Sequence, residues 1–446
     1  MIDKGALNDI LGEYLVNQRW FACSDDQTPT CQIVLFETLV DEWPKLLRVL
    51  VHTTLHGEDG EGTTYQLVIG MRPVGSHTEF LNGSPEAVIA SEIDTPDGPA
   101  IVYDATTDTE LMVALINLVV EGTKADRGRL VSSDSTHTSI VFDERLIMKL
   151  FRELGAGGRN PDAEVTRSLT RVGFSNVANA VAEWRDEVND YAVISEFLVG
   201  ASDGFLLALT SLRDLYDCRC DPEDAGGDFA PDARRLGVVT ANLHLALSEA
   251  FPTEPADSVH WSNLMEERLS HASLPGIDLD LVHAVYERLA SVKRAGISIR
   301  SHGDYHLAQV IRTDGGWFVV DFEGEPGSSY ESRLEPSSPL RDVAGMTRSF
   351  HYAAQVALRE RAEAIDERIV SLSSAWERRN RFAFMEGYLS VDRISSLLPP
   401  GTLDQDVIIT AFELDKAIYE VGYEQHHRPD WVGIPLAAVA RIVGNV

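Results

Sequence analysis

At 446 residues the chain is too long for a lone small module, and at roughly 100 to 200 residues per domain it has room for two to four compact units. A composition of 44% hydrophobic and 24% charged residues excludes a disordered or fibrous protein. Lys and Arg number 38 against 70 Asp and Glu, and the resulting net charge of −32 sets up a field that repels polyanions and anionic lipid, so neither nucleic acid nor membrane is expected as a partner. A small phosphorylated ligand stays open, because a few backbone amides, one Lys and a divalent cation hold phosphate inside an acidic protein. Cys23, Cys31, Cys218 and Cys220 are too few and too badly spaced for a disulfide framework or a zinc site, and Cys218-Arg219-Cys220 reads as a coincidence of spacing. The start carries no basic segment followed by an apolar one, and no run of about 18 apolar residues occurs, so a cytoplasmic location is expected.

In chain order, residues 1 to 90 read as a small α+β unit: a short helix, then β-branched-rich strands at Gln32 to Leu39, Leu46 to Leu55 and Thr64 to Met71. The loop Gly57 to Gly62 joins the last two as a hairpin. From 91 to 197 a helix over Thr109 to Val120 leads to strands at Ser139 to Phe142 and Leu146 to Leu150. A helix from Asp162 and strands at Val177 to Trp184 and Tyr191 to Phe197 follow, in the β-β-α-β-β order of a nucleotide-binding lobe. Residues 198 to 446 read as mainly helical, with Leu236, Val239, Thr240, Leu243 and Leu247 on one helix face. The exception is a strand pair around 301 to 322, where Asp314-Gly315-Gly316 predicts a tight hairpin.

That hairpin concentrates the chemistry. It runs from Ser301-His302-Gly303-Asp304 to Asp321-Phe322-Glu323, and antiparallel pairing brings Asp304 and Gln309 beside Asp321 and Glu323. Two carboxylates and an amide oxygen are hard ligands of the kind Mg²⁺ accepts beside substrate phosphates, and a third carboxylate is left to receive a proton. The arrangement resembles the catalytic segment of the kinase-like phosphotransferases that include aminoglycoside and choline kinases. The resemblance implies Asp304 as catalytic base and Asp321, Glu323 and Gln309 as metal ligands; Gln309 stands where that superfamily has Asn.

Ile147-Met148-Lys149-Leu150-Phe151 puts an ammonium in an apolar strand, where it needs a phosphate or a carboxylate. Lys149 with Glu164 resembles the strand Lys and helix Glu pair of kinases. The polar turn Thr136-His137-Thr138-Ser139 is expected to cover phosphates with its amides and hydroxyls, Thr136, Thr138 and Ser139 among them. The strand end at Ile194 to Leu198 resembles the hinge of these kinases, which places Glu196 and Leu198 near the adenine of ATP.

Near the C-terminus Glu413, Lys416, Glu420, Glu424 and His427 recur at helical steps of three or four, with Tyr419 and Tyr423 alongside and Trp431 beyond Arg428-Pro429. Carboxylates for hydroxyls and aromatic rings for the apolar faces of a pyranose make this a sugar-binding face. Lys416, Tyr419, Glu420, Tyr423, Glu424 and Trp431, with Asp304, His306 and Arg312 from the hairpin segment, are the expected acceptor contacts. Here the likeness narrows. Phe412 to Glu424, Arg428-Pro429-Asp430-Trp431, Gln18-Arg19-Trp20-Phe21-Ala22, Gly158 to Asp162, Gly226 to Phe229, Asp321 to Pro326 and Ser338 to Met346 closely resemble bacterial maltokinases. Cys23-Ser24 departs from that family's Gly and basic residue. The resemblance implies a bilobal, protein-kinase-like α+β fold with an N-terminal cap and a mainly helical C-terminal lobe. It implies transfer of phosphate from ATP, with Mg²⁺, to maltose, giving maltose 1-phosphate for α-glucan synthesis. A glucosamine kinase of the same superfamily is the alternative, and a catalytically inactive kinase-like scaffold is the reading from another class.

Overall fold

Alternating and continuous apolar runs in the first hundred residues build one antiparallel sheet. The computed structural model describes residues 4–21, 29–54, 62–133, 136–155, 159–361 and 366–444. Residues 55–61 of the expected hairpin loop, together with Ala22, Cys23, Ser24 and Gly158, lie outside the described residues. The chain divides into two compact units, residues 1–167 with 178–199, and residues 168–177 with 200–446.

In the first unit, helix α1 (Lys4–Leu15) precedes strands β1 (Thr30–Val40), β2 (Lys45–Thr54), β3 (Thr63–Pro73), β4 (Val88–Thr95) and β5 (Gly98–Asp104). They form a sheet in the order β1-β2-β3-β5-β4. Side chains alternate across a strand, and β2 and β3 use both faces. Leu47, Val49, Leu67 and Ile69 share a core with Leu7 and Leu11 of α1. Leu46 and Val68 point the other way, into a core made with Leu111 and Leu115 of α2 (Thr109–Val119) and Ile140, Met148 and Ile194. Burial on both faces is why β3 reads as an unbroken apolar run.

The second sheet comprises β6 (Gly128–Ser133), β7 (His137–Phe142), β8 (Leu146–Phe151), β10 (Ala180–Arg185) and β11 (Asp190–Glu196), ordered β10-β11-β8-β7-β6. A short strand β9 (Glu153–Leu154) leaves β8 and pairs with β3, so one chain segment serves both sheets. Helix α3 (Pro161–Arg171) follows.

The second unit is mainly helical. Its helices are α4 (Gly204–Cys218), α5 (Ala230–Ala250), α6 (Ser258–His271), α7 (Leu279–Ser291), α8 (Tyr330–Leu334), α9 (Pro339–Glu360), α10 (Glu367–Leu389), α11 (Thr402–His427) and α12 (Gly433–Val443). Strands β12 (Ser202–Asp203), β15 (Val310–Thr313) and β16 (Gly316–Val319) form a three-stranded sheet, and β13 (Glu254–Pro255) pairs with β14 (Ile297–Ser298). Leu236, Val239, Thr240, Leu243 and Leu247 are all buried on α5, as the helical spacing predicts. At Gly237 a Cβ would collide with the backbone of Phe384, and at Gly387 with that of Arg234, so two glycines let α5 and α10 approach backbone to backbone.

Three expectations are corrected. The cap sheet does not end at residue 90, because β5 pairs with β3 and carries the sheet to Asp104. Strands β4 to β6 were not expected, since Gly and polar residues interrupt their apolar pattern. Cys218 and Cys220 are joined by a disulfide across Arg219, whose left-handed backbone (φ 52°) turns the chain at the end of α4. Among the described residues no helix is long and apolar enough to cross a membrane.

Candidate active site

The strand pair β15 and β16 registers Val310 with Val319 and Thr313 with Gly316 around the expected Asp314-Gly315 turn. Asn176 fastens it from the side: its carbonyl accepts from the Val319 amide at 2.8 Å and its amide donates to the Trp317 carbonyl at 2.8 Å. Val320 N donates to the Gln309 carbonyl at 3.1 Å, so the ladder extends to the residue before Asp321. Asp321 itself takes a left-handed conformation (φ 66°) that turns its carboxylate off the ladder. Its Oδ2 accepts from Gln309 Nε2 at 2.9 Å, which is the juxtaposition the hairpin predicted. Glu323 is buried two residues on. These three side chains fit a divalent cation by donor type, since an amide turned about its terminal torsion offers oxygen where it now offers nitrogen.

Asp342, buried near the start of α9, fixes the loop before the hairpin. Its two oxygens accept the amides of His302 at 2.8 Å and Gly303 at 3.0 Å, and His244 Nε2 lies 3.2 Å from Oδ2. Burial acts to raise the Asp342 carboxyl, but these donors hold it below the usual carboxylate range. His302 in turn contacts the Val320 carbonyl at 3.0 Å, tying the loop to the far end of the hairpin. Asp304 thereby faces α11. Its Oδ1 accepts from Lys416 Nζ at 2.8 Å, and its Oδ2 lies 3.5 Å from His306 Nε2. Burial works to raise this carboxyl; Lys416 and His306 overrule it and hold it well below the usual range. Lys416 also donates to the buried Glu325 at 3.0 Å, while Arg268 lies 3.3 Å from that carboxylate. Desolvation opposes the charge on Lys416, and Asp304 and Glu325 keep it protonated.

A cavity of about 390 Å³ opens beside Asp304. His306 lines it, with Lys416, Tyr419, Glu420, Tyr423 and Glu424 from successive turns of α11. Tyr419 and Tyr423 stack at 6.5 Å between centroids, and Tyr423 stacks on His427 at 4.3 Å. Glu420 gives Oε2 to Arg348 at 2.5 Å; its Oε1 takes part in no hydrogen bond among the described residues. Glu424 accepts from Tyr352 at 2.8 Å and from Arg428 at 2.6 Å. Two expected contacts are elsewhere. Arg312 is held by Asp232 at 3.2 Å and by the Thr313 carbonyl, and Trp431 lies against the guanidinium groups of Arg359 and Arg428, 5.1 and 5.3 Å from its centroid; neither lines the cavity. Glu325, Asp342, Arg348 and Tyr352 were missed. For Asp342 and Arg348, charged residues among apolar positions of α9 were the available signal; Glu325 lies in the loop after the hairpin and offered none of that kind.

In the first unit Lys149 Nζ donates to Asp162 Oδ2 at 2.9 Å. Asp162 was not anticipated as a partner; the expected Glu164 lies half-buried in the same first turn of α3. Ser139 registers with Lys149 across β7 and β8. Thr138 and Ser139 are buried and Thr136 is half-buried. Glu196 ends β11, its amide bound to the Asn179 carbonyl at 3.0 Å and its carboxylate to the Asn179 side chain at 2.9 Å; Leu198 follows, half-buried.

Residues 14–108 match the family described as the maltokinase N-terminal cap domain. A glucosamine kinase of Streptacidiphilus jiangxiensis is 30% identical over 332 residues, 70% of this chain and 72% of that protein. This chain belongs to the family of capped sugar kinases. A second member, a glucosamine kinase of Mycolicibacterium smegmatis, is 27% identical over 71% of this chain and 79% of its own length. Among solved structures, a glucosamine kinase in complex with glucosamine, ADP and inorganic phosphate superposes with a TM-score of 0.60 at 24% identity, covering 71% of this chain and 80% of that one. A further glucosamine kinase crystal form matches 99% of both chains with a TM-score of 0.65 at 20% identity. The chain is thus a sugar phosphotransferase that carries a maltokinase-type N-terminal cap domain.

Proposed function

We propose that this kinase transfers the γ-phosphoryl group of ATP to a hydroxyl of glucosamine. The observation that carries the reading is the acceptor cavity: beside the ionised Asp304 it holds Glu420, whose Oε1 is unengaged and available to an ammonium, and a pair of stacked tyrosines for the sugar ring. The relatives that align over most of their length are glucosamine kinases, which supports the same choice.

Asp304, kept ionised by Lys416, accepts the proton of the attacking hydroxyl, and His306 beside it orients the acceptor. Lys416 lowers the basicity of Asp304 but fixes its carboxylate against α11, so positioning contributes more here than proton affinity. Asp321, Glu323 and Gln309 would hold Mg²⁺, which when bound neutralises charge on the transferring phosphoryl group. Lys149, steadied by Asp162, meets the donor phosphates; Thr136, Thr138 and Ser139 cover them, and Glu196 and Leu198 edge the adenine. Transfer is direct, with no phosphoenzyme.

Maltose is the second reading. It is favoured by the cap match and by the continuation of the tyrosine stack to His427, a platform long enough for a second ring. Measuring ADP release with glucosamine, maltose and glucose at matched concentrations tests the choice. The proposal expects glucosamine to be turned over fastest at low concentration; a preference for maltose establishes the second reading, and no turnover with any sugar leaves the scaffold alternative.

A further inference from the structure

The first unit holds a second cavity, of about 470 Å³, lined in part by Gln18-Arg19-Trp20, a motif that the phosphotransfer site does not use. Gln18, Arg19 and Trp20 follow α1 and form one wall; Asp104, at the end of β5, and Arg152, just after β8, form the floor. We propose that this cavity is a regulatory binding site for a small sugar carrying a single phosphate monoester.

The charge inventory sets the ligand class. Arg152 is only 1% exposed; it donates from Nη2 to Asp104 at 2.7 Å and from Nε to Thr138 at 2.8 Å, and its Nη1 is buried with no hydrogen-bond partner. The face of Trp20 lies 4.9 Å from this guanidinium, which holds it flat and leaves no open aromatic surface for a nucleobase. Arg19 is exposed on the same wall and has no ion-pair partner among the described residues. Asp104 already pairs with Arg152 and Glu86 adds a second carboxylate to the lining, so the free Arg19 and the surplus Arg152 donor match at most one phosphate monoester and fall short of a triphosphate. Glu86 lines the cavity next to Gln18, whose Nε2 donates to the Glu86 carbonyl at 3.0 Å; the Glu86 carboxylate and the Gln18 side-chain oxygen offer acceptors to hydroxyls. Guanidinium groups for an anion and acceptors for hydroxyls in one cavity describe a phosphorylated sugar.

Position supplies the regulatory consequence. The Arg152 amide donates to the Thr136 carbonyl at 2.9 Å and its side chain to Thr138, so a single residue joins this cavity to the turn expected to cover the donor phosphates. Lys149, three residues earlier, pairs in register with Ser139 of that turn. A ligand that draws on Arg152 therefore biases both halves of the donor grip, and occupancy should appear as a change in the affinity for ATP.

The test is calorimetric titration of the full chain with glucose 6-phosphate as probe and inorganic phosphate as the second arm. Wild type, Arg19→Glu, the cavity-filling Leu130→Trp and, as control for the acceptor cavity, Tyr419→Ala are compared. The proposal expects one site for glucose 6-phosphate, weakened about tenfold or more by Arg19→Glu or Leu130→Trp, both in the lining of this cavity, and unchanged by Tyr419→Ala. Glucose 6-phosphate should also shift the KM for ATP by about fivefold in wild type and not in Arg19→Glu, whose kcat without the probe stays at the wild-type value. Absence of binding at millimolar probe, or binding lost in Tyr419→Ala and kept in both Arg19→Glu and Leu130→Trp, overturns it. Inorganic phosphate binding as tightly as glucose 6-phosphate overturns the sugar part and leaves a bare anion site.

Discussion

Replacing Lys416 with Met keeps most of the side-chain volume and removes the one ammonium shared by Asp304 and Glu325. The 2.8 Å separation from Asp304 corresponds to about 6 kcal/mol of attraction at an effective dielectric of about 20. Desolvation of both ions offsets much of this, but breaking such a pair strands two buried carboxylates, and the expected loss of stability at neutral pH is about 3 to 5 kcal/mol. The sign with pH follows from the directions of the shifts. Asp304 is depressed in the folded kinase, so its contribution is present above the unfolded carboxylate range and disappears as pH falls through the folded value. Lys416 is raised, so its contribution is present below the ordinary lysine range and disappears only as pH rises through a still higher value. The stability gap between wild type and Lys416→Met should therefore be widest across neutral pH and narrow in acid. In the variant only His306 still opposes the burial that raises Asp304, so the acid limb in kcat/KM should move upward relative to wild type. Denaturation and pH-rate profiles measured together check this, with Lys416→Arg as the charge-conserving control. An unchanged melting temperature and an unchanged acid limb would refute the ion-pair account of the base.

Asp304→Asn should lower kcat by about 10² to 10⁴ while KM for ATP stays within a few-fold, read by steady-state ADP release. Asp321→Ala should abolish the dependence of rate on Mg²⁺ concentration, and Gln309→Ala should shift that titration more mildly; a normal Mg²⁺ titration of Asp321→Ala removes the metal assignment. Asp342→Ala frees the His302 and Gly303 amides and leaves His244 without its acceptor, so stability should fall by about 3 kcal/mol and kcat should fall with it, seen by denaturation and turnover. An amino sugar titrates near the α-amino range of about 7.7 to 8.0, so the KM for glucosamine should rise above that pH while the KM for maltose stays level.

The hairpin was legible because three local signals agree: a turn dipeptide, two short apolar strands, and carboxylates placed symmetrically at their outer ends. Pairing then left Gln309 and Asp321 no other place to be. The face of α11 was legible for a similar reason, since a spacing of three or four residues fixes which side chains share a face. Arg312 and Trp431 misled because sequence proximity to a site says nothing about which competing partner takes the side chain; Asp232 claims one and two guanidinium groups the other. Asp162 was not anticipated beside Lys149 because the first turn of α3 offers both Asp162 and Glu164, and helix register alone does not say which acids reach the ammonium. Strands β4 and β5 stayed hidden, as they join the sheet only through the pairing of β5 with the distant β3.

The central claim is that the α11 face selects an amino sugar through Glu420. The most direct test is the ratio of kcat/KM for glucosamine to that for glucose, in wild type and in Glu420→Gln. The account predicts a wild-type ratio well above one and a fall of about tenfold or more in the variant, the worth of a charge-assisted hydrogen bond to the ammonium. A ratio near one in wild type, or one that Glu420→Gln leaves untouched, would contradict it.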